Sequence, residues 1–194
     1  MTEQTQPLRR VTPCQARARA SVEAILEAAA QILETGGEAA FNTNAVAVRA
    51  GVSIGAVYRY FPDKRAILVA LAEQEQGKVD AVVADVPRDR AMIRAFLNAF
   101  DGRRTARKAA VRAQMSTSDP KALAAGFDRL PATRDAAGRP LSAVQQFVLS
   151  RAVHGAMRAA VLEDAPFLQS QEFEDELVRL GRAYLGLKRG DGGG

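Results

Sequence analysis

Apolar residues recur at intervals of three and four along most of the chain, and nowhere do they alternate over a strand-length run. Spacings of three and four keep one helical face apolar, so the pattern predicts an all-α fold. The clearest stripe is Val22, Ile25, Leu26, Ala29, Ile32 and Leu33. It predicts a first helix from about Gln15 or Ser21 to Thr35, stopped by Gly36–Gly37. Phe41 should dock as a core anchor, and Thr43 is the expected N-cap of a second helix, Asn44 to Ala50. A third short helix spans Ile54 to Tyr60, and a fourth starts at Pro62 or Asp63 and runs toward Val82.

Farther along, Met92, Ile93, Phe96, Leu97 and Phe100 mark an amphipathic helix from Arg88 to Phe100. A basic helix follows from Arg103 to Met115, and a short one opens at Asp119–Pro120 and runs through Leu130. Pro131 to Pro140 reads as a loop. Two longer helices close the pattern, Leu141 to Leu162 and, beyond Pro166, Phe167 to Leu187. Both carry more apolar surface than one small domain needs. The first is also rich in small residues that let helices approach closely, which makes the pair the expected dimer interface. Its candidates are Val148, Ala152, Ala156, Ala159, Leu177, Leu180 and Tyr184; ordinary packing within one chain is the competing reading.

Composition narrows the class. The chain has 194 residues, 47% of them hydrophobic, which suits a globular protein with a sizeable core. No apolar run approaches the roughly 20 residues of a membrane span, and the N-terminus lacks the apolar segment of a secretory signal, so a cytoplasmic protein is expected. One cysteine, Cys14, allows no intramolecular disulfide and no thiolate metal cluster. It is an inert thiol or a redox sensor tuned by nearby arginines. No zinc, P-loop or dinucleotide pattern occurs, no metal or cofactor is expected, and a lone His154 with no partnering motif gives no support to an enzyme.

Charge changes the picture in two places. The net charge is +5, which permits nucleic-acid binding. Residues 1–14 form an expected flexible basic arm; Arg9 and Arg10, with Arg17 and Arg19 beyond it, either reach DNA or are solvated. Arg103, Arg104, Arg107, Lys108 and Arg112 form a run without acids, read as a solvated face or a second DNA contact. Residues 188–194 are a Gly-rich tail expected to be disordered.

Ala45 to Leu68 concentrates the chemistry. A short helix, a tight turn at Gly51, an N-cap at Ser53 and a second short helix bearing Tyr58, Arg59 and Tyr60 make the pattern of a DNA-binding helix-turn-helix. The stretch T-N-A-V-A-V-R-A-G-V-S-I-G-A-V-Y-R-Y-F-P-D-K resembles the DNA-binding domain of the TetR family of bacterial transcriptional repressors. The A-G-V-S turn, the following G-x-x-Y-x-Y-F and the lysine beyond carry the likeness, which spans about residues 15 to 70; A-I-L-E-A-A-A-Q-I-L-E-T-G-G resembles that family's first helix.

The resemblance implies about nine helices, a helix-turn-helix domain over 15–65 and a ligand-binding and dimerisation domain over 66–187. It implies that Ser53, Ile54, Gly55, Ala56, Tyr58, Arg59 and Tyr60 face DNA, with Thr43, Asn44 and Lys64 at neighbouring helix starts. Tyr58, Tyr60, Thr43 and Lys64 should grip the backbone, and Arg59 is the side chain able to pair with guanine O6/N7. Ile54 stands where the family often has Lys, so specificity is not inherited from relatives. The expected function is a homodimeric repressor that leaves a palindromic operator when a small molecule binds. Candidate pocket residues are Met92, Phe96, Phe100, Met115, Phe127, Phe147, His154 and Met157, suiting an apolar or aromatic effector; core packing is the competing reading. A sequence-tolerant, nucleoid-type DNA binder and a repressor without a working pocket are the rival functions.

Overall fold

The computed structural model describes residues 13–83, 88–116 and 134–187. Among these the chain forms eight α-helices and no strand: α1 Pro13–Ala40, α2 Thr43–Ala50, α3 Ile54–Tyr60, α4 Lys64–Val83, α5 Arg88–Leu97, α6 Arg104–Met115, α7 Ala143–Leu162 and α8 Gln171–Leu185. A 3₁₀ turn, Ala99–Gly102, joins α5 to α6. The expected helix from Asp119 to Leu130, residues 1–12 of the arm expected over 1–14, and the tail lie outside the described residues, while Pro13 and Cys14 open α1 instead of belonging to the arm.

The glycine stop of α1 works, with one addition. Gly37 sits at φ 66°, ψ −171°, which ends regular helix, but one more turn follows to Ala40 before the chain leaves. Gly36 is required by closeness: a Cβ there would come within 2.6 Å of the Ala40 Cβ. The expected N-cap of α2 shifts by one residue. Asn42 is extended, and its Oδ1 accepts from the Ala45 N–H at 2.9 Å. Thr43 is therefore the first helical residue, and its hydroxyl is released for other work. Asp63 caps α4 by accepting from the Ala66 N–H at 2.8 Å.

Two apolar cores result. The first gathers Ile25, Leu26, Ala29 and Leu33 of α1, Val46 of α2, Val57 of α3, Phe61, and Ile67 and Leu71 of α4. The second gathers Ile93, Phe96 and Leu97 of α5, Leu149, Val153 and Met157 of α7, and Leu177 and Val178 of α8. Helix α6 belongs to both. Ala106, Ala109 and Ala110 lie in the first core, whereas Val111 lies in the second. Alanines let α6 pack closely against α1, and longer side chains tie it to α1 and to its other neighbours.

Those long side chains resolve the basic run. Arg103 donates to both carboxylate oxygens of Glu27 on α1, at 2.8 and 2.9 Å. Arg112 pairs with Glu38, also on α1, and Lys108 pairs with Asp164. Arg107 is buried and donates to the Phe96 and Leu97 carbonyls at 2.7 Å each, satisfying the open end of α5. Burial pushes its guanidinium down to about 10. Neither a solvated face nor a second DNA contact describes four of the five cations, which are tied within the chain. Glu34 adds a third link from α1, after Glu27 and Glu38: its Oε2 accepts from the Thr105 and Ala106 N–H groups at 3.1 and 3.4 Å. A carboxylate from α1 so caps the first turn of α6.

Candidate nucleic-acid interface

Local chemistry shapes the helix-turn-helix. Gly51 adopts the left-handed conformation (φ 67°, ψ 30°), and its N–H closes α2 on the Ala47 and Val48 carbonyls. Ser53 then accepts from the Ala56 N–H at 3.1 Å and starts α3. Val57 and Phe61 point into the first core. That choice turns the opposite face outward: Ile54, Gly55, Tyr58 and Arg59 are exposed, and Ala56 and Tyr60 are half-buried.

The tips of that face are linked. The Thr43 hydroxyl, at the start of α2, lies 3.2 Å from the Tyr58 hydroxyl on α3. The two helices thereby present one paired hydroxyl group to the same side. Asn44 is exposed on the next position of α2, and Lys64 is exposed at the first residue of α4. Arg59 folds over Tyr60, donating to its phenol oxygen at 3.2 Å, with the guanidinium carbon 5.0 Å from the ring centroid. Gly55 is not required by packing, since a Cβ built there meets nothing within 4 Å.

The electrostatics favour an anionic partner. From Ala39 to Pro62 the chain has no carboxylate, while Arg49 and Arg59 lie within it and Lys64 and Arg65 follow. None of these four cations makes a salt bridge among the described residues. The nearby acids Glu27, Glu34 and Glu38 are engaged by α6 instead. The Arg103 hydrogen bond holds the Glu27 carboxyl below its ordinary value, so it stays an anion tied to α6.

The other sequence candidates are dispersed. Phe96, His154 and Met157 are brought together in the second core, where the Phe96 and His154 rings meet edge-on at 6.3 Å. His154 Nδ1 is 3.2 Å from the Ser150 carbonyl oxygen. Met92 is half-buried, but Met115 and Phe147 are exposed and do not join that group. The Arg151 guanidinium covers the Phe147 ring at 4.2 Å. Phe127 and the Phe100 side chain lie outside the described residues. A cleft of about 530 Å³ opens elsewhere, beside Arg103, Arg104, Arg107, Asp164 and Gln169, and is lined by none of the six candidates whose side chains are described.

On the closing helices, Val148, Ala152, Leu180 and Tyr184 are exposed, and Ala156 and Ala159 are half-buried. Leu177, expected on the same face, is buried in the second core and unavailable to a partner. Val144 and the pocket candidate Phe147 are exposed beside Val148; periodicity marks a face as apolar without saying which neighbour covers it. Asn42 was missed because Asn and Thr are both good caps, and adjacent ones compete.

Comparison with known proteins accords with this surface. Residues 25–71 match the family model for bacterial regulatory proteins of the tetR family. The HTH-type transcriptional repressor KstR of Mycobacterium tuberculosis is 44% identical over 57 residues, covering 29% of this chain. That match spans only 26% of the relative's own length. A TetR transcriptional regulator from Rhodococcus sp. RHA1 has a similar structure, with TM-score 0.62 at 23% identity over 87% of this chain and 97% of that one. Thermus thermophilus FadR, a TetR-family transcriptional repressor solved with lauroyl-CoA, aligns at TM-score 0.58 and 18% identity over 89% of this chain and 99% of that one. Residues 25–71 thus carry the helix-turn-helix segment described by the tetR family model, and the described residues share the all-helical fold of the solved regulators.

Proposed function

We propose that the protein is a homodimeric repressor that binds a palindromic operator and releases it when a small molecule occupies the helical region beyond the reading head. The observation that carries the DNA-binding part is the outward face of α3, acid-free and flanked by Lys64 and the Thr43–Tyr58 hydroxyl pair. Thr43, Asn44, Tyr58 and Lys64 grip phosphates. Arg59 reads a guanine, and Gly55, Ala56 and Ile54 meet the base edges and thymine methyls. Residues 15–65 act as the DNA-binding domain and 66–187 as the regulatory one.

Dimerisation is supported by the exposed apolar strip of α7 and α8, where Val144, Phe147, Val148, Leu180 and Tyr184 are each at least 40% exposed. A second copy covering this strip would supply two recognition helices, and binding successive major grooves needs them ~34–36 Å apart, one turn of DNA. For the effector, the relative solved with lauroyl-CoA favours a ligand with a long apolar part. Phe96, His154 and Met157, grouped in the second core, are the apolar and aromatic residues that would receive such a part if the core opens to it. A molecule need only bind one spacing of the heads better than the other to shift the equilibrium. The protein works in the cytoplasm, where the operator is; among the described residues no helix is long and apolar enough to cross a membrane.

Selection from a random duplex library with the purified protein tests the reading. An enriched palindrome supports it. Binding without an enriched motif, with a steep salt dependence, would establish the nucleoid-type alternative instead.

A further inference from the structure

We propose that Tyr60 is a positioning residue for sequence readout: it holds the Arg59 guanidinium in place for a base and does not itself grip a phosphate. The inference rests on the reading of α3 as the recognition helix. Neighbouring residues on a helix point about 100° apart and do not ordinarily meet. Arg59 nevertheless lies across Tyr60, with a hydrogen bond of 3.2 Å to the phenol oxygen and its guanidinium 5.0 Å from the ring centroid.

The two partners differ in freedom. Tyr60 is half-buried and packs its ring against the first core, alongside Val57 and Phe61. Its ring is therefore a fixed platform. Arg59 is exposed and has no salt bridge among the described residues. A long exposed arginine ordinarily samples many rotamers, and fixing it on a base costs affinity. Stacking and one hydrogen bond to a core-anchored ring remove part of that freedom in advance. They also occupy the phenol oxygen as an acceptor. The guanidinium keeps its remaining N–H groups for guanine O6 and N7. Specificity at one base pair then depends on a residue that touches no base.

Three variants decide the matter: Arg59→Ala, Tyr60→Phe and the double variant, each checked for an unchanged thermal midpoint. Tyr60→Phe keeps the ring and its core packing and removes only the oxygen. Library selection and titration against the selected site and its single-base variants are read together with the salt slope. The proposal expects Tyr60→Phe to lose ~2- to 10-fold preference at the one base pair that Arg59→Ala also relaxes. Its salt slope and its affinity for random DNA should match the parent, and the double variant should be no worse than Arg59→Ala. A uniform loss on all sequences with a shallower salt slope would make Tyr60 a phosphate contact and overturn the proposal. An unchanged base preference in Tyr60→Phe overturns it as well, while leaving Arg59 as the reader. If Arg59→Ala itself selects the parental motif, the reading of Arg59 fails and the proposal with it.

Discussion

Gly55→Ala should make the protein more stable and a poorer DNA binder. Glycine at the second position of α3 is unfavourable to the helix, because it has more backbone freedom to lose. The interior-helix penalty relative to alanine is about 1 kcal/mol. Near a helix start roughly half of that is reasonable, ~0.5 kcal/mol. Nothing within the protein opposes the change, since the added Cβ meets no atom within 4 Å and the residue is not in the left-handed region. For a chain of this length, ~0.5 kcal/mol corresponds to a rise of about 1–2 °C in the thermal midpoint. The space left open faces the proposed DNA. A methyl group forced into a packed interface costs ~1–3 kcal/mol, or about 5- to 150-fold in affinity for the selected site. Gly77→Ala supplies the control. Gly77 is exposed within α4, and its Cβ would also meet nothing within 4 Å, so stability should rise with no change in binding. Thermal denaturation and fluorescence anisotropy on the library-selected duplex measure both quantities. If Gly55→Ala binds that duplex as tightly as the parent, α3 does not approach DNA at Gly55, and the placement of the recognition helix is wrong.

Glu34→Ala should destabilise the fold by ~1–2 kcal/mol in urea unfolding, because the first N–H groups of α6 lose their acceptor. Glu34→Gln keeps an acceptor and should lose less than half as much; equal losses would disprove the capping role. Glu174 is buried between Arg90 and Arg94; burial pushes its carboxyl up, and their hydrogen bonds more than offset this, leaving it below the ordinary 4.5. Its contribution is therefore present above about pH 4.5 and is lost as pH falls through the lower folded value. Glu174→Gln should cost ~1–3 kcal/mol at pH 7 and progressively less below pH 4.5 in parallel urea titrations; a pH-independent difference would contradict the assignment. Leu180→Asp places a charge on the exposed strip of α8 and should convert a dimer to monomer in sedimentation velocity, with the monomer's helical content retained.

The sequence by itself carried the elements and the chemistry of the reading head. Periods of three and four, caps and glycine stops are local signals, decided within a turn or two. Accordingly α2, α3 and the Gly51 turn fall where the pattern places them, and the outward residues of α3 follow from the inward pair Val57 and Phe61. Even locally, two adjacent cap residues could not be ranked, and Asn42 took the place expected of Thr43. That shift freed the Thr43 hydroxyl for Tyr58, fifteen residues away.

Only the tertiary structure decided what each apolar or charged face meets. The basic run of α6 has the same pattern whether it contacts solvent, DNA or the chain itself. The fold turned it onto Glu27, Glu38, Asp164 and the carbonyl end of α5. Glu34 and the α6 N-terminus are 71 residues apart, and no local pattern links them. The apolar stripes of α7 and α8 likewise divide by packing: Leu177 went to the core, while Leu180, one turn on, stayed outside. Helical periodicity records which residues share a face. Which neighbour covers that face depends on distant segments of the chain, and so it is settled only when the helices meet.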